Sequence, residues 1–324
     1  MAFQRVLGRS GIRVSATGLG TMGIGGLSWD RSLRQDGPVG YGSVDDAESI
    51  RAIHRALDLG VSFFDTADVY GCGHSERILS QALTGRRDAV VIATKFGHTF
   101  DEVTQEIQGD DAEPAYIRAA CEASLRRLKS DVIDLYLFHL KNYDLARAPE
   151  VRDTLEDLVR EGKIRSYGWS TDDVERARCF AAGEHCTAIM HRLNYIVDAP
   201  EMLAFCEAEG LASINRIPFL MGILTGKYRD GIDLPDEDQR SLFFSASPAQ
   251  RDVARVEALR PILTRDGRSL AQAALGWIWA RSSITVPVPG FKRVTHVEDN
   301  AEAMDYGPLT VEQMQQVAAY LAEN

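Results

Sequence analysis

The chain has 324 residues with a formal net charge of -11, which argues against nucleic acid or an anionic membrane surface as its main partner. Its five cysteines show no CxxC spacing, which predicts a reducing compartment without disulfides or a bound metal. No signal-like N-terminus and no apolar stretch long enough to cross a bilayer occurs. We therefore expect a cytoplasmic protein with a small-molecule partner. The sequence does not determine its oligomeric state, although a monomer is slightly favoured.

From residue 45 onward, helical patterns alternate with short apolar runs. Helices are predicted to begin at Asp45, Ser75, Pro114, Pro149, Asp172 and Pro200. The intervening strands are predicted within 63–65, 89–94, 132–138, 163–170, 187–190 and 211–215. A first strand near 17–22 and a last one near 284–286 bring the total to about eight, the number that closes a parallel α/β barrel. The predicted fold is a (β/α)8 TIM barrel occupying residues 1–324 as one domain.

Segments outside this alternation have separate predictions. Residues 3–15 are predicted to form a hairpin that plugs the end of the barrel opposite the site. Two further helices are expected near the C-terminus, over 253–263 and 311–322. The long segments 23–44, 97–113 and 217–248 lack periodicity, so we expect loops over the site that select the substrate.

Four ionisable residues follow or end apolar strands in the first half of the chain. Asp65 and Tyr70 lie in DTADVYG, Lys95 in VIATKFG and His139 in DLYLFHL. The C-terminal ends of parallel barrel strands meet on one face, so these side chains are expected to converge there. Taken singly, each residue has an ordinary alternative interpretation as a helix cap, a packed tyrosine or a satisfied core histidine.

Together, the four residue types fit proton transfer to a carbonyl oxygen. A phenol is a poor acid at neutral pH unless a neighbouring cation stabilises its phenolate, and Lys95 is the expected cation for Tyr70. Asp65 would keep the ammonium charged, while His139 would hydrogen-bond the substrate oxygen.

Two glycine-containing segments suggest nucleotide binding. Residues 18–23 match GxGxxG, but the following IGGLSWDRSLRQDGP has no helical pattern, so a Rossmann domain is rejected. Residues 286–293 read VPVPGFKR and lead into a helix expected near Thr295. A glycine turn before a helix start, with Lys292 and Arg293 beside it, predicts a phosphate site after the last strand. An exposed basic pair beside a turn is the simpler alternative.

These residues together resemble the aldo-keto reductase family. The resemblance covers nearly the whole chain: GLGTM, GVSFFDTADVYG with GHSE, VIATKFG, the run YIRAACEASLRRLKSDVIDLYLFH, GKIRSYGWS, LTGKY and PVPGFKRVTHVEDN, in that order. It implies a barrel that binds a nicotinamide cofactor, mostly NADPH or NADP+, without a Rossmann domain. It also implies a catalytic tetrad of Asp65, Tyr70, Lys95 and His139, with Tyr70 as the acid in reduction and the base in oxidation.

The resemblance also implies a set of cofactor contacts. These are Gly20, Thr21, Met22, Asp65, Ser170, Thr171, His191, Arg216, Pro218, Leu220, Gly222, Leu224, Lys227, Gly290, Lys292, Arg293, His296, Asp299 and Asn300. Three of them depart from the usual family residues: Thr171 replaces Asn, His191 replaces Gln, and Arg216 replaces an aromatic residue under the nicotinamide. Because Arg216 carries a fixed positive charge, we predict that NADPH binds more tightly than NADP+.

The sequence thus predicts an NADPH-dependent reductase of an aldehyde or ketone, with Tyr70 and His139 contacting the substrate and Trp29 as a further wall. Three alternatives remain open. The first is oxidation of a sugar or other alcohol, and the second is an NADPH-binding regulatory subunit with negligible turnover. The third is a non-redox barrel enzyme acting on a phosphorylated substrate.

Overall fold

A computed structural model describes residues 3–31, 37–235, 237–245 and 249–324. Its strands run in chain order as follows: β1 Gln4–Val6, β2 Arg13–Ser15, β3 Leu19–Gly20, β4 Ser28–Asp30, β5 Gly37–Val39, β6 Phe63–Asp65, β7 Val91–Phe96, β8 His98–Asp101, β9 Glu106–Asp110, β10 Leu135–Phe138, β11 Tyr167–Ser170, β12 Cys186–Arg192, β13 Ala212–Arg216 and β14 Thr285–Pro287.

Eight of these strands form one parallel sheet, in the order β14-β13-β12-β11-β10-β7-β6-β3. The first and last strands of this order also approach each other. Gly18 and Gly20 donate backbone hydrogen bonds of 2.9 Å to Pro287 and Pro289, and Gly20 pairs with Gly290 as a parallel bridge. These bonds bring the sheet to a nearly closed barrel, which confirms the predicted fold class.

The helices follow the strands as the sequence predicts. They are α1 Asp46–Asp58, α2 His74–Ala82, α3 Pro114–Leu128, α4 Ala148–Arg160, α5 Val174–Ala181, α6 Pro200–Ala208, α7 Arg240–Ser245, α8 Ala249–Leu263, α9 Leu270–Arg281, α10 Val294–Tyr306 and α11 Val311–Glu323. The predicted extra helices correspond to α8 and α11, which pack against each other. The short α7 was not predicted.

The N-terminal hairpin is also confirmed. Strands β1 and β2 pair antiparallel, and Leu7 and Val14 are fully buried among the side chains that fill the barrel interior. Gly8 has φ +50° and lies so close to the Thr187 carbonyl and the Ala212 amide that a Cβ there would overlap both. Since these two residues belong to the starts of β12 and β13, the hairpin covers the end of the barrel opposite the strand C-termini.

The prediction of loops over 23–44 and 97–113 is wrong. Strands from both segments form a second, four-stranded sheet in the order β5-β4-β9-β8, which we call the cap sheet. Its side chains Val39, Phe100 and Ile107 pack with Tyr70 and Val69 beside the strand C-termini. Residues 32–36 of the first segment, and 236 and 246–248 of the third, lie outside the described residues.

The residues 18–23 that match GxGxxG lead into a short 3-10 turn, Thr21–Ile24, and then into β4. The helix that a Rossmann fingerprint requires is therefore missing from this described segment, as predicted. Across the described ranges, no helix is long and apolar enough to cross a membrane.

Candidate active site

The four predicted side chains lie together at the C-terminal end of the barrel. Asp65 ends β6 and Lys95 lies near the end of β7, with Lys95 Nζ 2.7 Å from Asp65 Oδ1. The same ammonium donates to Tyr70 Oη at 3.2 Å and to the Thr66 carbonyl at 2.7 Å. The His139 ring lies 6.0 Å from the Tyr70 ring, measured between centroids, in an edge-to-face arrangement.

Burial and the neighbouring charges shift the pKa values of Lys95 and Tyr70 in opposite directions. Burial alone lowers the pKa of Lys95, whose exposed fraction is 1%, but Asp65 and Tyr70 outweigh it and raise that pKa above its ordinary value. Burial raises the pKa of Tyr70, and the Lys95 ammonium only partly opposes this rise. Lys95 is therefore charged and Tyr70 protonated at neutral pH, the state required of a proton donor.

His139 is neutral in this environment. Burial, with the charges of His98, Lys95 and Arg216, holds its pKa well below 6.5. Its Nδ1 is buried without a partner among the described residues. An unpartnered N–H is costlier to bury than an unpartnered lone pair, so we infer that the proton lies on Nε2. His139 is partly exposed, and its Nε2 makes no hydrogen bond to the described residues, so this nitrogen is free to donate to a substrate oxygen.

A buried hydroxyl network fixes the strand end that carries Asp65. The Thr21 hydroxyl donates to the Asp65 carbonyl at 3.1 Å and accepts from the Ser75 hydroxyl at 2.7 Å. Ser75 in turn lies 3.0 Å from Thr66 Oγ1. Thr21, predicted as a cofactor contact, thus has its hydroxyl occupied within the protein.

Tyr70 is positioned by a close approach of two backbones. Gly71 has φ +58°, and a Cβ there would lie 1.8 Å from the Gly25 carbonyl oxygen, which no side chain can tolerate. A Cβ added at Gly25 would lie 3.1 Å from the Tyr70 carbonyl carbon. The glycines after the first barrel strand therefore hold the segment that carries the phenol.

Arg216 ends β13, and its guanidinium is electrostatically coupled to Tyr70 and His139. Asp172, which sequence reasoning missed, pairs with Arg216 Nη2 at 2.5 Å and with Arg192 Nε at 2.9 Å. Burial lowers the pKa of Arg216, although Asp172 opposes this. One carboxylate thus orients two guanidiniums, and a net positive charge remains beside the tetrad.

The structure does not bring His191 to the tetrad. Its Nε2 lies 2.7 Å from Ser213 Oγ and its Nδ1 lies 3.0 Å from the Arg192 carbonyl. The neighbouring Met190 packs in the barrel interior, so strand alternation turns His191 to the outer face. Burial lowers its pKa to about 4. Both ring nitrogens are therefore satisfied without a ligand.

Ser170 and Thr171 differ in their availability. The buried Ser170 hydroxyl has no hydrogen-bond partner within the described ranges, and the strand alternation places it on the inner face with Met190, its register partner. Thr171 Oγ1 donates to the Lys141 carbonyl at 3.3 Å and accepts from the Asp173 amide at 3.2 Å. Of the two, Ser170 is the one free to bind a ligand group.

Four predicted cofactor contacts, Lys227, Lys292, Arg293 and His296, interact electrostatically with one another and with Arg240. We call these five residues the basic cluster. Burial and the neighbouring charges lower the pKa of Lys227 to about 8. Arg240 was not predicted; it pairs with Asp238 at 2.5 Å and lies over the Tyr41 ring.

Several groups of this region already have partners inside the protein. Lys292 Nζ donates to the Tyr41 carbonyl at 2.6 Å and to the Ser43 carbonyl at 3.0 Å. The Val294 amide at the start of α10 donates to Glu48 Oε1 at 2.9 Å. Glu48 belongs to α1, where Asp45 caps the helix as predicted. The Lys292 ammonium and the Val294 amide are therefore held by carbonyl and carboxylate oxygens.

Most of the remaining predicted contacts lie on the chain segment that leads from Arg216, at the end of β13, to Lys227 of the basic cluster. This segment has positive φ at Leu220, Met221 and Gly222, with values of 45°, 56° and 95° in succession. Consecutive left-handed residues are costly and are concentrated at functional sites. Pro218 is buried, and the side chains of Leu220 and Leu224 are buried against α8 and α9, so only their backbones can face a ligand.

On α10, Asn300 Nδ2 donates to the Gly290 carbonyl at 3.4 Å, and Asp299 accepts from the Ser269 hydroxyl at 2.8 Å. Gly290 is exposed, and a Cβ added there would meet no atom closer than 3.9 Å. Gly20 is tighter, with its Cβ position 3.1 Å from the Val288 carbonyl. Met22, the residue after Thr21, is partly exposed.

Trp29 and Cys72 lie in or under the cap sheet. Trp29 is 42% exposed on β4, with the Arg31 guanidinium 5.8 Å from its ring centroid, and no described contact joins it to the tetrad. Burial raises the pKa of the Cys72 thiol to about 12, so this cysteine is a packed, unreactive side chain.

Comparison with known proteins gives consistent matches. The model of the aldo/keto reductase family matches residues 17–322. The aldo-keto reductase yakc [NADP(+)] of Schizosaccharomyces pombe is 28% identical over 90% of this chain and 84% of that protein.

Solved structures agree. Glycerol dehydrogenase AKR11B4 from Gluconobacter oxydans is 29% identical, with a TM-score of 0.85 over 100% of this chain and 96% of that one. An aldo-keto reductase from Klebsiella pneumoniae in complex with NADPH is 26% identical, with a TM-score of 0.72 over 98% of this chain and 95% of that one.

Proposed function

Because the chain belongs to the aldo/keto reductase family, we propose that it is an NADP-dependent oxidoreductase that reduces an aldehyde or ketone to an alcohol. The named relative that uses NADP(+) and the related structure in complex with NADPH support this cofactor. The observation that carries the proposal is the 3.2 Å contact between Lys95 Nζ and Tyr70 Oη, with Asp65 behind the ammonium.

In this proposal each side chain has one task. The reduced nicotinamide supplies the hydride. His139 donates its Nε2–H to the carbonyl oxygen and thereby fixes its position, while the Tyr70 hydroxyl delivers the proton to that oxygen. Lys95 stabilises the phenolate that remains on Tyr70, and Asp65 keeps Lys95 charged.

The residues fit a cofactor in an extended pose along the barrel mouth. The free Ser170 hydroxyl is a candidate partner for the nicotinamide carboxamide. Arg216, with its planar group oriented by Asp172, would lie against the ring. The strained Leu220–Gly222 backbone would follow the pyrophosphate, and the basic cluster would receive the adenosine end with its 2′-phosphate. His191 and Thr171 would not contribute side-chain contacts.

Alcohol oxidation is the second candidate. It is favoured by the similarity to glycerol dehydrogenase AKR11B4, which has the higher TM-score of the two structures described above. Reduction is preferred because the pKa of Tyr70 is raised, and a base in oxidation must first lose its proton. A redox-sensing subunit with negligible turnover is a third candidate, but a complete tetrad is not needed for binding alone.

One experiment separates these candidates. The protein is mixed with one equivalent of NADPH and an excess of propanal, and the loss of NADPH absorbance is followed, first in a single turnover and then with excess NADPH. A reductase oxidises the bound NADPH and continues to cycle. A sensor stalls after the first equivalent. Faster NADP+ reduction with alcohols than NADPH oxidation with carbonyls would favour oxidation.

A further inference from the structure

The tip of the β8–β9 hairpin carries a carboxylate that joins the cap sheet to the barrel. Glu102 lies between the two strands, and its Oε1 accepts a hydrogen bond of 2.9 Å from Arg127 Nη1. Its Oε2 accepts a hydrogen bond from Arg77 Nη2. Arg77 belongs to α2 and Arg127 to α3, so two helices of the barrel hold one carboxylate of the hairpin. We call these three residues the hairpin clamp.

On the barrel side, buried hydrogen bonds fix the position of Arg127. Its Nε donates to Glu76 Oε2 at 2.6 Å, and the side chain of Glu76 is fully buried. Oε1 of Glu76 accepts from the Thr94 hydroxyl at 2.6 Å. Since Thr94 precedes Lys95 on β7, continuous hydrogen bonds connect the strand of the proposed catalytic ammonium to the tip of the hairpin.

The two arginines of the hairpin clamp also pack against the segment that follows Tyr70. Gly73 has φ +89°, and a Cβ there would lie 2.6 Å from both Arg127 Cδ and Arg77 Nη1. A side chain at this position would have to displace the arginines, so the glycine leaves room for them. The clamp therefore lies directly on the loop that carries the proposed proton donor.

The hairpin that is held in this way packs beside Tyr70. Phe100 of β8 belongs to the same apolar cluster as Tyr70, and the Arg127 guanidinium lies 5.7 Å from the centroid of the Phe100 ring. At the other end of β8, the His98 carbonyl accepts a hydrogen bond of 2.7 Å from the Tyr116 hydroxyl of α3. The strand is thus attached to the barrel at both ends, with Phe100 between the two attachments.

From these contacts we propose that Glu102, acting through Arg77 and Arg127, is a positioning residue that holds the hairpin beside Tyr70 and thereby fixes the space left for the substrate. The four residues of the tetrad lie outside the hairpin, so loosening it should change substrate binding and leave the chemical step intact. The kinetic consequence rests on the proposed carbonyl reduction, whereas the attachment of the hairpin does not depend on it.

Hydrogen exchange measured by mass spectrometry on the full-length protein tests the attachment. Glu102→Gln keeps the size of the side chain but removes its charge, so amides within residues 98–110 should exchange about threefold to tenfold faster than in the wild type. Amides of β7 and β10 should exchange at rates within about twofold of the wild type.

Glu106→Gln is the matched control for the attachment. Glu106 lies on the same hairpin, and its side chain is 37% exposed, compared with 40% for Glu102. It pairs with Arg31, which follows β4 of the cap sheet, so this ion pair does not reach the barrel. Exchange of the hairpin amides in Glu106→Gln should therefore stay close to that of the wild type.

Steady-state kinetics with NADPH test the consequence for the site. The ring of benzaldehyde requires more room than propanal, so Glu102→Gln should raise KM for benzaldehyde by about twofold to fivefold, because a loosened wall must be ordered again on binding. KM for propanal, kcat for both aldehydes and Kd for NADPH should stay within about twofold.

A double-mutant cycle links this effect to the hairpin clamp. Arg77→Met should also raise KM for benzaldehyde. The double variant Arg77→Met, Glu102→Gln should raise it by less than the product of the two single effects, because both changes act on the same contact. Fully multiplicative effects would overturn the clamp.

The remaining outcomes separate this inference from the proposed function. Hairpin exchange in Glu102→Gln equal to that of the wild type, or equally accelerated in Glu106→Gln, overturns the inference and leaves carbonyl reduction intact. Faster hairpin exchange with unchanged KM for benzaldehyde makes the contact purely structural and overturns the positioning role. If the wild type binds NADPH but reduces neither aldehyde, the proposed function fails, and the positioning role fails with it.

Discussion

The tetrad and the basic cluster differ in what their charged groups contact before any ligand arrives. Lys95 is buried, and its ammonium lies within 3.2 Å of Asp65, Thr66 and Tyr70, all of them groups that the proposed chemistry retains. Lys292 is partly exposed and donates to the carbonyls of Tyr41 and Ser43. A phosphate must replace such contacts in order to bind.

This difference predicts that substitutions in the two regions affect different kinetic constants. The tetrad is preorganised, so changes within it should alter kcat. The basic cluster must exchange internal hydrogen bonds for ligand bonds, so part of the gain from binding is offset. Changes there should alter KM for the cofactor and leave the chemical step nearly untouched.

The largest expected effect tests the preorganised side. Tyr70→Phe removes the proton donor and should lower kcat for propanal reduction by about 10²- to 10⁴-fold. Its Kd for NADPH, measured by fluorescence titration, should stay within about twofold. Tyr306→Phe is the matched control, because Tyr306 lies at the end of α10, away from the tetrad. Undiminished turnover in Tyr70→Phe would remove Tyr70 as the proton donor.

A smaller effect is expected when the support of Tyr70 is changed. Gly71→Ala places a Cβ against the Gly25 carbonyl and should displace the phenol, lowering kcat by about 10- to 100-fold. Gly42→Ala is the control, because Gly42 also has positive φ, +76°, but no atom within 4 Å of its Cβ position. Positive φ alone should lower the unfolding free energy of both variants by about 1–2 kcal/mol. Gly71→Ala should lose more, because its Cβ also overlaps the Gly25 carbonyl. Equal kcat values would contradict the positioning role.

The basic cluster should respond in KM. The double variant Lys292→Ala, Arg293→Ala is expected to raise KM for NADPH by about threefold to tenfold, since partly exposed charges contribute modestly. KM for NADH, which lacks the 2′-phosphate, should change by less than about twofold. Parallel changes with both cofactors would place the phosphate elsewhere.

Removing the negative charge of Glu48, in the same region, should change KM for NADPH in the opposite direction. Its carboxylate holds the Val294 amide at the start of α10 and repels a phosphate there. Glu48→Gln should therefore lower KM for NADPH, by about twofold to threefold, with little effect on NADH. Steady-state kinetics at low ionic strength would measure this. An increase in KM for NADPH would show that the carboxylate supports the site.

The smallest expected effect concerns the pH dependence of kcat, which should be nearly absent around neutral pH. Reduction needs protonated Tyr70, and its raised pKa means that this form is lost only as pH rises above about 10. His139 has a pKa well below 6.5, so it stays neutral as pH falls through 6.5. The kcat of propanal reduction should thus be flat from about pH 6 to 9.5. A fall centred near 6.5 would contradict the neutral His139.

The barrel and the tetrad were predictable because both follow from local signals. Apolar runs alternating with helical patterns define the parallel sheet, and the polar residues at the strand ends fall on one face by topology alone. The same rule places Arg216 at a strand end. It does not identify Asp172 as the partner of Arg216, because a pairing between a strand end and a loop far away in sequence depends on three-dimensional packing.

The cap sheet was not predictable in the same way. Its strands carry polar residues such as those of β9, and they pair through backbone groups across segments far apart in sequence. The position of His191 was missed for a related reason. Family resemblance supplied its role, whereas Ser213 beside it and the alternation of β12 direct the ring to the outer face.

In the cap sheet, the strand pairing and the side chains that face the proposed site depend on different groups. Its strands are joined by main-chain bonds, so side chains such as His98 can be exchanged without disturbing the pairing that supports them. The proposed catalytic residues Asp65, Tyr70, Lys95 and His139 lie outside this sheet. If the proposed function holds, we expect substitutions on the face of this sheet that packs against Tyr70 to change substrate preference while the reaction stays the same.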